Sequence, residues 1–154
     1  MRHATIVGIF TLMLALIPGL VFAEPVIDDS KSTSYLFVIN GTSSSLDENT
    51  LALNGVPSVI YFTDRPARKV GYMSLSNFLD MWDKNIGNFK ADPPNAALSI
   101  LKKDEAKEVV VELKSAEQKN GTLLFKVRVL EGNAAGSFET STLFIDSFGP
   151  CPGC

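Results

Sequence analysis

The 154-residue chain is poor in the side chains that do most enzymatic chemistry. Its one histidine is His3, and its only cysteines are Cys151 and Cys154. Histidine is the usual general base and a common metal ligand. With none beyond position 3, the body of the chain has no Ser-His-Asp or Cys-His catalytic unit and no His-containing catalytic zinc site. Positive charge is also short: 14 Lys and Arg stand against 17 Asp and Glu, a formal net charge of −3. With no basic cluster, there is no electrostatic footprint for nucleic acid or an anionic lipid surface. Internal repeats and composition breaks that would mark a linker are missing too.

The sequence also lacks an apolar run of the roughly 20 residues that a membrane span needs. The apolar stretch Ile6 to Leu16 is shorter and is broken by Pro18 and Gly19. With Arg2 before it and Val21-Phe22-Ala23 after it, residues 1–23 read as a signal peptide cleaved after Ala23. No cysteine follows the apolar region, which argues against a lipid anchor. The expected product starts at Glu24 and is one unit more negative once Arg2 is gone. Its length suits one domain with one core. The expected location is exported, in the periplasm or outside the cell.

What remains is rich in β-formers. Residues 24–34 are polar and read as a flexible N-terminal tail. The domain is expected over 35–148, and 149–154 form a Cys-Pro-Gly-Cys tail. Tyr35 to Ile39 is a continuous apolar run, the pattern of a strand buried on both faces. Thr42 to Asn49 reads as a Ser-rich loop. Thr50 to Leu53 ends at the turn dipeptide Asn54-Gly55, which predicts a hairpin with Val59 to Phe62. Further strands are expected at Ala97–Leu101, Glu108–Leu113, Leu123–Leu130 and Leu143–Asp146, with a turn at Asn120-Gly121 and a polar loop over 131–141. Lys102 to Glu105 and Lys114 to Lys119 read as solvated connections.

One stretch breaks the β pattern. Leu75, Phe78, Leu79, Trp82, Ile86 and Phe89 recur at helical spacing, predicting an amphipathic helix over about 75–86. Ser74 is its N-cap, Met73 and Phe78 suit a hydrophobic staple, and Gly87 is the expected stop. Trp82 is expected in the core. About seven strands and one helix predict a mainly β fold: a single-domain, β-sandwich-like fold with one inserted amphipathic helix, following an N-terminal signal peptide.

These landmarks resemble a family of exported bacterial proteins of unassigned function. The stretches that carry the resemblance are Tyr35-Leu36-Phe37-Val38, Ile60-Tyr61-Phe62-Thr63-Asp64-Arg65-Pro66 and the helix around Trp82. Asp92-Pro93-Pro94-Asn95-Ala96, Val109 to Leu113 and Leu143-Phe144-Ile145-Asp146 add to it. The resemblance implies export and a compact domain. It implies no activity, substrate or catalytic residues, and it stops before the tail.

Two constellations are candidate sites. In Asp64-Arg65-Pro66-Ala67-Arg68-Lys69, the Asp64 carboxylate sits among three cations at the end of a strand. It reads either as a salt-bridged corner, with Asp64 accepting from turn amides and Arg65 paired to a carboxylate, or as an anion-binding lip formed by Asp64, Arg65 and Arg68. Cys151-Pro152-Gly153-Cys154 has the Cys-x-x-Cys spacing of redox sites, but no helix follows to lower a thiol pKa. A local Cys151–Cys154 disulfide closing a type II turn is the plain reading. Metal binding and pairing between chains stay open. Asn40-Gly41-Thr42 and Asn120-Gly121-Thr122 match the glycosylation sequon and read as turns.

No catalytic residue, metal site or cofactor is expected. The sequence thus points to a monomeric, exported, non-enzymatic domain that binds a protein partner or a small ligand, with no nucleic acid and no membrane span after cleavage. Two alternatives are a thiol-redox or metal-binding protein acting through the tail, and a hydrolase using two paired carboxylates.

Overall fold

The computed structural model describes residues 33–102, 105–133 and 135–148. The leader, nearly all of the 24–34 tail and the Cys151–Cys154 motif lie outside the described residues. Among the described residues the structure is mainly β with one helix. Its strands in chain order are β1 (Tyr35–Gly41), β2 (Ser43–Leu46), β3 (Thr50–Asn54), β4 (Val59–Thr63) and β5 (Val70–Met73), then β6 (Asn95–Lys102), β7 (Glu105–Lys119), β8 (Thr122–Glu131), β9 (Gly136–Phe138) and β10 (Ser141–Phe148). The helix α1 (Leu75–Asp83) lies between β5 and β6. All ten strands join one antiparallel sheet in the order β5-β4-β1-β10-β6-β7-β8-β3-β2-β9.

The sheet doubles over the helix, which is how one sheet gives a sandwich-like arrangement. β1 and β2 are separated by a single residue, Thr42, yet lie third and ninth in the sheet. The chain therefore turns a corner at Gly41-Thr42 and carries the strand from one half to the other, as strands that switch sheets do. Gly41 keeps the corner uncrowded, since a Cβ would stand a tight 3.2 Å from the carbonyl oxygens of Ser43 and Asn54. The Thr42 amide donates to the Asn54 carbonyl at 2.9 Å and fixes the corner. A buried hydrogen bond between the hydroxyls of Ser44 on β2 and Ser141 on β10, 2.5 Å, joins strands five places apart in the sheet.

The core follows the period of two along each strand. Tyr35, Phe37 and Ile39 on β1, Leu98 and Ile100 on β6, and Val109, Val111 and Leu113 on β7 face inward. Leu123, Phe125 and Val127 on β8 and Leu143 and Ile145 on β10 complete that face. The helix fills the fold of the sheet. Phe78 is fully buried, its ring 5.7 Å from Phe37 and 6.5 Å from Phe125, so it touches both halves. Trp82 is buried as expected, with its ring stacked on Phe89 at 4.4 Å and 2°. Its indole Nε1 has no hydrogen-bond partner among the described residues.

The helix starts where the sequence places it. The Ser74 hydroxyl accepts from the Asn77 amide at 3.2 Å, and both Met73 and Phe78 are buried at the staple positions. It ends earlier than expected. Asn85, at φ 52°, takes the left-handed position. The Ile86 amide then bonds to the Met81 carbonyl at 2.9 Å and the Asn85 amide to the Trp82 carbonyl at 3.2 Å. This is a Schellman motif, and asparagine supplies the positive φ that was expected of Gly87. Phe89 reaches Trp82 through the turns that follow, not from the helix itself.

Three further expectations are corrected. The Ser-rich stretch holds a strand, β2, because Ser44 and Leu46 point inward while Ser43 and Ser45 face outward. The predicted hairpin of Thr50–Leu53 with Val59–Phe62 does not form: β3 pairs with β2 and β8, and β4 with β1 and β5. Lys114 to Lys119 continue β7 opposite β8, up to a two-residue turn in which Asn120 and Gly121 both have positive φ.

A candidate binding face on the outside of the sheet

The outer residues of β1 and β4 are as apolar as the inner ones. That explains why both read as continuous apolar runs. Register defines a row on the outside of the sheet: Tyr72, Ile60, Val38, Phe144, Ala97 and Val110 are consecutive cross-strand partners from β5 to β7. Val70, Phe62 and Leu36 form a second row beside it. At about 4.8 Å per strand the longer row is roughly 24 Å wide. Tyr72 and Val70 are each 74% exposed and Phe144 is 47% exposed. The other half of the surface is more polar, although Val129 and Leu130 on β8 are partly exposed there. Glu112 on β7 pairs with Arg128 on β8 at 2.8 Å, and Lys126 reaches toward Thr50. The Arg128 guanidinium holds the Glu112 carboxyl below its ordinary pKa, and Glu112 in turn raises that of Arg128. Among the described residues, the exposed aromatic side chains Phe62, Tyr72 and Phe144 all lie in the first half.

The charged turn named from the sequence borders this apolar half. Residues 64–69 connect β4 to β5, directly after Thr63 and directly before Val70. Asp64 accepts from the Arg65 amide through Oδ1 at 2.7 Å, and its carbonyl accepts from the Arg68 amide at 3.2 Å. Thr63 closes the base: its amide donates to the Lys69 carbonyl at 2.9 Å, and its Oγ1 accepts from the Lys69 amide at 2.8 Å. The Arg65–Pro66 bond is cis and Arg68 has φ 49°. So Asp64 does accept a turn amide. The expected pairing of Arg65 with a carboxylate is absent among the described residues, whose ion pairs are Lys84–Asp80 and Arg128–Glu112. Arg65, Arg68 and Lys69 are exposed at the rim of the apolar rows.

A separate shallow cavity of about 290 Å³ lies between Leu46, Asp47, Glu48, Val129, Gly132, Asn133 and Ala135. Asp47 there already accepts from the Asn49 and Thr50 amides, at 3.0 and 2.7 Å, and so serves the turn. Among the described residues no three or more His, Cys, Asp or Glu side chains stand together as a metal site, and no helix is long and apolar enough to cross a membrane.

Sequence reasoning found the cationic turn but missed the face beside it. The signal was present in the doubled apolar character of Leu36, Val38, Ile60 and Phe62. It was read as burial because a continuous apolar run does not say what covers its second face. No family model, curated protein or solved structure matches the chain.

Proposed function

We propose that the chain is an exported, non-enzymatic binding domain whose partner is a protein docked on the apolar outer face of β5, β4, β1, β10 and β6. The observation that carries this reading is the row Tyr72–Ile60–Val38–Phe144, apolar at every position and exposed at both Tyr72 and Phe144. Contiguous exposed apolar surface on one side of a domain marks an interaction site. A protein fits better than a small ligand, since the surface is a broad sheet face and small ligands take concave pockets. Export rests on the leader pattern of residues 1–23 and the family resemblance.

Photocrosslinking in the native envelope tests the reading. Benzoylphenylalanine placed at Phe144 is expected to give a discrete adduct that weakens when Tyr72 is replaced by lysine. The same probe at Lys126, on the polar half, is expected to give none. Equal labelling from both positions overturns the docking face. Intact mass of the recovered protein tests export: residues 1–23 are expected to be missing, and a protein beginning at Met1 overturns it.

A further inference from the structure

Strand β5 lies at one end of the sheet, and among the described residues it pairs only with β4. Which of its backbone groups point away follows from the turn. Thr63 and Lys69 face each other as a hydrogen-bonded pair, since the Thr63 amide donates to the Lys69 carbonyl. Bonded and non-bonded pairs alternate along an antiparallel ladder. The Tyr61–Gly71 and Val59–Met73 pairs are therefore bonded, while Phe62–Val70 and Ile60–Tyr72 are not. The N–H and C=O groups of Val70 and Tyr72 thus point outward from the sheet edge.

β5 is short, four residues, but two other devices that close an edge, proline and charge, are missing within it. Val70-Gly71-Tyr72-Met73 carries no proline and no charge, and its outward side chains are β-formers. Gly71 would be its weak point, but the Tyr61 ring packs over it, and a Cβ there would collide with that ring. An aromatic across the strand stabilises an edge glycine in this way. The edge is thus held in extended form. The three cations Arg65, Arg68 and Lys69 stand at its start against one carboxylate, Asp64, on a chain whose formal charge is −3.

Resting on the binding role proposed above, we propose that β5 accepts an additional strand from an acidic, extended segment of the partner protein. The added strand bonds to Val70 and Tyr72 through its backbone. Its alternate apolar side chains continue the outer rows, and its carboxylates meet Arg65, Arg68 and Lys69. Main-chain bonds at a free sheet edge supply affinity in such additions, and side-chain pockets supply selectivity. A second copy of this chain is a poorer occupant. Antiparallel pairing of β5 with itself, centred on Gly71 so that Val70 of one copy bonds to Tyr72 of the other, sets Lys69 against Met73, Arg68 against Ser74 and Arg65 against Asn77. None of these positions carries a carboxylate.

The test uses the recovered protein and three synthetic peptides of alternating valine and threonine. One carries a run of glutamates at one end, one carries lysines instead, and one is the glutamate peptide with alternate amides N-methylated. The glutamate peptide is expected to bind at least about tenfold more tightly than the lysine peptide, a difference of about 1.4 kcal/mol. The N-methylated peptide is expected to lose binding. Amide exchange at Val70 and Tyr72 is expected to slow on binding, with Gly71 and Met73, already bonded to β4, unchanged. Replacing Arg65 and Lys69 with glutamate is expected to reverse the preference between the charged peptides. Equal binding of the N-methylated peptide overturns strand addition, and equal binding of the lysine peptide overturns the acidic partner. If no peptide binds while crosslinks from Phe144 persist, the edge proposal fails and the docking face stands. If those crosslinks are absent too, both fail.

Discussion

Replacing Phe78 with alanine should do more damage than any change on the outer face. Phe78 is fully buried at the centre of the doubled sheet, and its ring meets Phe37 from β1, Phe125 from β8 and Trp82 from its own helix. The alanine leaves a void bounded on both sides by strands, which cannot close in without unbending the sheet. Phe-to-Ala changes in such settings cost about 3–5 kcal/mol. A domain of this size has about 5–15 kcal/mol to lose. With a urea slope of about 2 kcal/mol per molar, a loss of about 4 kcal/mol moves the midpoint by about 2 M. Trp82 is the only tryptophan and lies 6.4 Å from Phe78, so its emission follows unfolding of this core directly. Far-UV circular dichroism checks that both probes report one transition. The control is Tyr72→Ser, which removes a side chain that is 74% exposed and should stay within about 0.5 kcal/mol. A midpoint shift for Phe78→Ala below about 0.5 M, roughly 1 kcal/mol at that slope, would refute the claim that this ring joins the two halves of the sheet. So would a Tyr72→Ser shift of equal size.

Two other perturbations probe the polar contacts. Ser141→Ala leaves the buried Ser44 hydroxyl without its partner and is expected to cost about 1–3 kcal/mol, whereas Ser44→Ala with Ser141→Ala should cost less than the sum of the single changes; strict additivity in urea titrations would show that the two hydroxyls do not interact. Glu112 has its pKa lowered in the fold, first by the hydrogen bond from Arg128, so any stability it contributes is present above its unfolded pKa and is lost as pH falls through the folded one. Urea midpoints of the parent and Glu112→Gln should therefore differ most near neutral pH and converge in acid, and a gap that widens on acidification would contradict the sign of the shift.

Local features were legible in the sequence because local chemistry fixes them. Ser74 caps the helix through its own hydroxyl, and Asn120-Gly121 makes a tight turn because both residues tolerate positive φ. The apolar spacing of Phe78 and Trp82 put one helical stripe in the core. The mainly β class followed from short β-forming runs between turn residues. The helix ends three residues before the expected Ile86 because asparagine and glycine can both take the left-handed position, and Asn85 comes before Gly87.

Pairing was decided by tertiary structure. Asn54-Gly55 has the chemistry of a hairpin turn, yet β3 and β4 end in different halves of the sheet. The corner at Gly41-Thr42 sends β2 to the far end, where it takes β3 as its partner. The Ser-rich β2 has little β propensity of its own and becomes a strand only because β3 and β9 flank it and Ser141 meets Ser44. The candidate site divides in the same way. Asp64, Arg65 and Arg68 could be named from their spacing, because they are neighbours in the chain. The face beside them draws Tyr72, Ile60, Val38 and Phe144 from four strands, and only the register of the folded sheet brings those residues into one row.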